Sequence, residues 1–338
     1  MALAMPRDCS TIEAPGVALW VGCCNNSSTL TTVSRLQVEL FSNRIPGLVL
    51  RNPVMPASGT FGYGTEYADL IDIGRLGAIV TKGITAIPWE GNPQPRLWET
   101  ASGVLNSIGL ENIGVEAAIA EKAPLWAAWQ APVIVNIAGH TMDEYARVAG
   151  RLDGVPGVAA LEVNISCPNV SEGGLEFGTC PETAAAVTAA VRAATSLPLI
   201  VKLSPNVTDI VAIASSVVAS GADAVCLINT LRGTAIDVEK RVFRLGRMAG
   251  GLSGPAIKPV ALHMVHRVAH ALHVPVIGCG GISTAEDALE FIMAGATAVQ
   301  VGTATFTDAC SMLAIVDGIE EYLSMHGIPA LADIRGVL

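Results

Sequence analysis

The chain has 338 residues, 51% of them hydrophobic and 15% charged, with a formal net charge of −10. That is material for one large barrel or two ordinary domains with a sizeable core. The acidic balance argues against a nucleic-acid partner, and no apolar run approaches the roughly 18 residues of a membrane span, so a cytoplasmic protein is expected.

Eight cysteines are scattered through the chain (Cys9, Cys23, Cys24, Cys167, Cys180, Cys226, Cys279, Cys310), none in a Cys-x-x-Cys pair. No metal or iron–sulfur site is expected here, and reduced thiols are the default reading. Residues 1–33 have neither helical nor strand period and end in a Ser/Thr/Asn run. The segment 16–24 is short, holds Gly, and follows Asp8 and Glu13 instead of a clean positive region, unlike a signal peptide. A disordered extension, or a start codon placed too far upstream, is expected, with one catalytic domain over 34–338.

From Leu36 onward one pattern repeats. It is plainest in "LGAIVTKG" (76–83), "SGADAVCLINT" (220–230) and "AGATAVQVGT" (294–303): a Gly closing a helix, a short polar step, then a run read as all-apolar. Gly suits the left-handed position after a helix, and a short apolar run suits a parallel strand buried on both faces. Further strands are expected over 53–56, 133–137, 160–165, 199–203 and 276–278, making eight. Helical stretches lie between most of them. "TCPETAAAVTAAVRAATS" places Thr179 and Glu182 at capping-box spacing, and "STAEDALEFIMAG" places Ser283 and Glu286 likewise. Eight alternating units predict an α/β fold, a (β/α)8 TIM barrel with its active site at the C-terminal mouth. An open doubly wound sheet is the alternative, but no Gly-x-Gly-x-x-Gly follows the first strand.

The residues that follow the strands are Ser58-Gly59, Thr81-Lys82, Asn136, Asn164 with Cys167 and Asn169, Lys202, Asn229-Thr230, Gly280-Gly281 and Gly302-Thr303. In a barrel they gather at one mouth. The late Gly pairs suit a phosphate, since loops after strands seven and eight commonly hold one; tight turns needing Gly are the bland alternative. Lys82 and Lys202 end apolar strands, where they either snorkel to water or meet an anion. A flavin suits them, because its N1–C2=O edge becomes anionic on reduction. Asn106, Asn164, Asn169 and Asn229 offer paired donors and acceptors for a planar ring, although any one of them could equally serve a turn. Cys226 and Cys279 read as small buried hydrophobes. Cys167, in "EVNISCPNV", is a base, a nucleophile or packing; its ordinary pKa of about 8.5 suits a general base, and no His lies in the strand-end set to activate a nucleophile, His140 being the nearest.

The motifs "NPVMPASGTFGYG", "TKGIT", "NSIGLEN", "NISCPNV", "VKLSPNVTDI", "INTLRGTAID", "GGLSGPAIKP" and "GCGGI" resemble those of the family-1 dihydroorotate dehydrogenases, from about Leu36 to the C-terminus. The resemblance implies an FMN-binding (β/α)8 barrel in pyrimidine biosynthesis, with Cys167 as the catalytic base where a membrane-bound sister family uses Ser. It implies substrate contacts from Lys82, Asn106, Ser107, Ile108, Gly109, Leu110, Asn164, Asn169, Asn229 and Thr230. For FMN it implies Ser58, Thr81, Lys82, Asn136, Asn164, Lys202, Ile228, Gly254, Gly280, Gly281, Gly302 and Thr303. "TLRGTAID" and "GGLSGPAIKP" are similar to the NAD-linked subtype, which implies a partner subunit carrying FAD and a [2Fe–2S] cluster, around a homodimer in a heterotetramer. Thr234 departs from the pattern, standing where Met is usual. Two rivals remain: a dihydrouridine synthase, disfavoured by the acidic charge, and a non-catalytic barrel, which would not need Cys167 and both lysines together.

Overall fold

The structure is a computed structural model that describes residues 34–42, 45–166 and 176–338; the expectation for residues 1–33 therefore lies outside the described residues. All eight expected strands are present: β1 (Val54–Pro56), β2 (Ile79–Val80), β3 (Val133–Ile137), β4 (Val158–Asn164), β5 (Leu199–Lys202), β6 (Ala224–Leu227), β7 (Val276–Cys279) and β8 (Ala298–Val301). They form one eight-stranded sheet in the order β1-β8-β7-β6-β5-β4-β3-β2, every pairing parallel. The Gly77 N–H donates to the Val54 carbonyl at 2.8 Å, which joins the two ends into a barrel. Gly77 does not cap a helix, as its place in the repeat suggested: a Cβ there would lie 2.1 Å from the Asn52 carbonyl oxygen. In the other two copies Gly221 (φ +107°) and Gly295 (φ +111°) do follow helices with positive φ.

Strand residues alternate between two separately packed clusters, as the two-residue period of a strand requires. Outward residues such as Val135, Leu161, Val201 and Val225 pack beneath the helices. Inward residues fill the barrel, and they alternate in size. Met55, Ile134, Ile200 and Ile277 come from the odd strands, Ala160, Ala224 and Ala298 from the even ones, and Ala78 from just before β2. Large and small side chains from alternate strands fill a barrel interior without voids. Leu40 and Leu50, on an antiparallel hairpin (Val38–Ser42 with Ile45–Leu50), join this inner cluster and plug the N-terminal end.

The two capping expectations need correcting. The helix Pro181–Ala194 is preceded by Cys180 without a side-chain cap, because Thr179 Oγ1 instead donates to the Glu176 carbonyl at 2.8 Å. The helix Ala285–Met293 does have a capping box, one residue later than expected, between Thr284 and Asp287. Neither the sequence repeat nor the strand count anticipates the sheet that overlies the mouth. Leu231–Gly233, Gly250–Ser253, Gly103–Asn106 and Leu97–Thr100 form four antiparallel strands in that order, built from the loops after β6 and β2. This sheet brings Asn106 and the turn at Gly254 toward the strand ends.

Candidate active site

Two residues beyond the apolar inner layer, each strand carries a second inward residue. On β3, β4, β5 and β8 these are Asn136, Glu162, Lys202 and Gln300, all buried. Such polar groups persist in a core only when hydrogen-bonded to one another. Glu162 Oε1 accepts from Asn136 Nδ2 at 2.7 Å, and Glu162 Oε2 accepts from Gln300 Nε2. Gln300 Oε1 accepts from Lys202 Nζ at 2.8 Å. The lysine also lies 4.0 Å from Glu162 Oε1, 3.5 Å from Ser58 Oγ and 3.8 Å from Cys279 Sγ. Burial alone would lower its pKa, but the facing charges of Cys279 and Glu162 outweigh burial and hold Lys202 well above the usual lysine value. It is a permanent cation at the floor of the mouth. Cys226 and Cys279 are buried, as expected of small hydrophobes, but Cys279 does more than fill space. Its thiol is drawn down to about 7 by the Cys226 thiol that donates to it, against its own burial and with help from Lys202, while burial pushes Cys226 up.

One atom of this network has no partner. Asn136 Oδ1 is buried and unsatisfied, although Asn136 Nδ2 is tied to Glu162. A Cβ at Gly83 would lie 2.9 Å from it, so that glycine keeps space open beside an orphan acceptor. Such an atom calls for an N–H from a ligand. At the opposite side, the glycines expected to seat a phosphate stand together. Gly280 (φ +131°) and Gly281 (φ +75°) follow β7, and a Cβ at Gly281 would lie 2.9 Å from the Gly254 carbonyl. Gly302 follows β8, and Thr303 Oγ1 donates to Ser253 Oγ at 2.9 Å. An acceptor for a ring N–H, a buried cation and a cluster of closely approaching glycines suit an FMN's ring and phosphate, so the residues present fit that cofactor.

The remaining expected residues fall around this floor. Asn164 and Asn229 meet: Asn229 Nδ2 donates to Asn164 Oδ1 at 3.2 Å, and Tyr145 Oη donates to the Asn164 carbonyl at 2.6 Å. Asn229 Oδ1 accepts from the Thr230 N–H, and Ile228 N–H donates to the Cys279 carbonyl at 2.7 Å. Asn106 Nδ2 donates to the Gly251 carbonyl at 3.1 Å, which ties the overlying sheet together across its strands. Thr81 is buried and engaged locally: its hydroxyl accepts from the Asn136 N–H and donates to the Lys82 carbonyl, and its own N–H donates to the Ile134 carbonyl at 3.1 Å. Lys82 differs from Lys202. It is partly exposed, lies 3.7 Å from Glu111 Oε2, and lines an open cleft of about 430 Å³ with Tyr63, Trp89, Glu90 and Asn112. The same Glu111 oxygen pairs with Arg96 Nη1 at 2.9 Å. Ser107, Ile108, Gly109 and Leu110 form the turn beside it. Ser107 Oγ accepts from Asn92 Nδ2 at 3.0 Å, the Ile108 carbonyl accepts from the Asn92 N–H at 2.9 Å, and both Gly109 and Leu110 have positive φ. Cys167 and Asn169 lie outside the described residues.

Sequence reasoning missed Glu162, Gln300 and Glu111. The first two stand inside runs read as apolar, "LEVN" and "AVQVGT". Their signal was a polar residue two positions from a small inward residue, Ala160 and Ala298.

With this geometry in place, the comparisons with known proteins decide the family. The family model described as dihydroorotate dehydrogenase matches residues 40–323. The chain belongs to the dihydroorotate dehydrogenase family. Three curated relatives carry the name dihydroorotate dehydrogenase B (NAD(+)), catalytic subunit. That of Pelobacter propionicus is 58% identical over 294 residues, covering 87% of this chain and 97% of the relative. That of Geotalea daltonii is 57% identical over 297 residues (88% and 97%), and that of Geobacter sulfurreducens 54% over 303 residues (90% and 99%). The matched span contains all eight barrel strands and the buried Lys202. Among the described residues no helix is long and apolar enough to cross a membrane.

Proposed function

We propose that this chain is the catalytic subunit of an NAD+-linked dihydroorotate dehydrogenase, oxidising (S)-dihydroorotate to orotate in UMP synthesis in the cytoplasm with one FMN at the barrel mouth. The orphaned Asn136 Oδ1 beside the permanently charged Lys202 carries this reading: together they suit a planar ring that has an N–H edge and an edge that gains negative charge. Bound FMN supplies the acceptor for the hydride that leaves C6 of the substrate. This chain supplies the rest. Cys167 removes the C5 proton, and the thiol has an ordinary pKa that a site can bring into working range. Asn106, Asn164, Asn169, Asn229 and Thr230 hold the pyrimidine, with the Asn164–Asn229 hydrogen bond fixing which amide atoms remain for it. Lys82 faces the substrate carboxylate from the cleft side, where Glu111 holds its ammonium at 3.7 Å. Lys202 offsets negative charge at the flavin edge, and Gly254, Gly280, Gly281, Gly302 and Thr303 seat the phosphate.

The electrons then leave through a separate iron–sulfur flavoprotein subunit with FAD and a [2Fe–2S] cluster, on a homodimer of this chain within a heterotetramer. The name borne by the relatives, catalytic subunit, supports a division of labour of this kind. The test is direct. The purified chain should be yellow, should release FMN on denaturation, and should be bleached by dihydroorotate without oxygen. A colourless chain that takes up no FMN would overturn the proposal.

A further inference from the structure

The polar floor of the mouth is organised by one residue that the proposed reaction does not itself use. Glu162 is fully buried on β4, and it binds two amides from opposite directions: Asn136 on the neighbouring β3 and Gln300 on β8, across the width of the barrel. A carboxylate is an acceptor only, so each amide must turn its NH2 toward Glu162 and its oxygen away. The two oxygens therefore have imposed directions. Gln300 Oε1 meets Lys202 Nζ at 2.8 Å, and Asn136 Oδ1 is left as the buried, unsatisfied acceptor at the mouth. Either amide turned over would replace an acceptor by a donor, facing an ammonium in one case and presenting N–H to the ligand in the other.

We infer that Glu162 is a positioning residue for the flavin: it sets the orientation of Asn136 and Gln300 and supplies the counter-charge for Lys202. This rests on the FMN reading above and deepens it. Geometry alone fixes the consequence of the isosteric change Glu162→Gln. A glutamine at this position can accept from one amide only and must donate to the other. If it keeps Asn136, Gln300 turns over and aims its NH2 at the Lys202 ammonium. If it keeps Gln300, Asn136 turns over and the orphan acceptor is lost. Both outcomes damage the same floor, one through the cation and the other through the ring contact.

A second variant separates orientation from packing. In the exchange Glu162→Gln with Gln300→Glu, the glutamine donates to the new carboxylate and still accepts from Asn136, while the new carboxylate faces Lys202 directly. Every donor meets an acceptor, and the charge count is unchanged. The experiment strips FMN from the full-length chain and titrates it back, following quenching of flavin fluorescence, with thermal unfolding of each variant recorded alongside. Glu162→Gln should bind FMN about tenfold or more weakly, the scale of one charge-assisted hydrogen bond. The exchanged double variant should return to within about threefold of the parent. Parent-like affinity in Glu162→Gln, or a double variant as weak as the single one, would overturn the inference while leaving the FMN reading intact. A parent chain that takes up no FMN would overturn that reading and the inference together.

Discussion

Lys202 and Gln300 meet inside the barrel from strands that are not neighbours: the ammonium on β5 donates to Oε1 on β8 at 2.8 Å, with β6 and β7 between them. The lysine is therefore held by the network and not by its own strand. Replacing it with alanine leaves the fully buried Glu162 carboxylate without its cation, a change that costs about 3–5 kcal/mol where a buried pair is broken. Lys202→Ala should lower the denaturant midpoint, and should also loosen FMN or lower the flavin potential, because no cation then offsets charge on the reduced ring. Unchanged FMN affinity together with an unchanged potential would show that this lysine does not face the flavin.

The base is a separate matter. Cys167→Ala should leave FMN bound and the unfolding transition in place while dihydroorotate turnover falls by about 10²–10⁴-fold, the usual contribution of one positioned base. Cys167→Ser should keep a little activity, rising toward high pH. Anaerobic stopped-flow bleaching of the flavin measures the step directly, and a normal rate in Cys167→Ala would remove this residue from the mechanism.

The barrel was legible because parallel strands buried on both faces leave unmistakable apolar runs, and because Gly221 and Gly295 mark helix ends by their positive φ. The same habit of reading concealed the floor of the site. Treating "AVQVGT" as all-apolar ignores that Ala298 and Gln300 share one face while Val299 and Val301 share the other. Glu162 was hidden in the same way between Leu161 and Val163. The sheet over the mouth was not legible for a different reason. Its strands come from two loops far apart in sequence, and three of its hydrogen-bonded partners, Gly233, Gly250 and Gly251, carry no side-chain pattern at all. Backbone pairing without side-chain alternation leaves little for a sequence to display.

Asp287, behind the Gly280-Gly281 turn, gives a pH-dependent prediction. Its carboxylate accepts from the Ser283 and Thr284 N–H groups at 2.8 and 3.0 Å and pairs with Lys258 Nζ at 2.7 Å. Partial burial works against ionisation, but the Lys258 bond and the two backbone donors prevail, and the carboxyl is held below its usual range. A depressed folded pKa means stability that is present above the unfolded value of about 3.9 and is lost as pH falls through the folded one. Asp287→Asn should therefore cost on the order of 1 kcal/mol at pH 7, the scale of a helix cap, and the gap to the parent should close in acid. Urea titrations at pH 7 and pH 3 would measure it; an equal gap at both would mean that the charge of Asp287 contributes nothing.

The last prediction concerns where the electrons go. Reducing NAD+ requires a site for the dinucleotide close to a hydride donor, and the sequence holds no Gly-x-Gly-x-x-Gly after its first strand. The relatives that match over nearly their whole length are named catalytic subunits of an NAD+-linked enzyme, and under the reading proposed above NAD+ is met by a second subunit. The isolated chain should then bleach with dihydroorotate and pass electrons to an artificial dye, yet reduce NAD+ negligibly. Adding the proposed iron–sulfur flavoprotein subunit should bring NAD+ reduction up to a rate comparable with that of the dye, and leave the KM for dihydroorotate unchanged, since the residues proposed to hold the substrate all belong to this chain. Vigorous NAD+ reduction by the isolated chain would refute the two-subunit arrangement. It would not touch the proposal of an FMN site, because that proposal rests on Lys202, Glu162 and Asn136, which all reside in this chain.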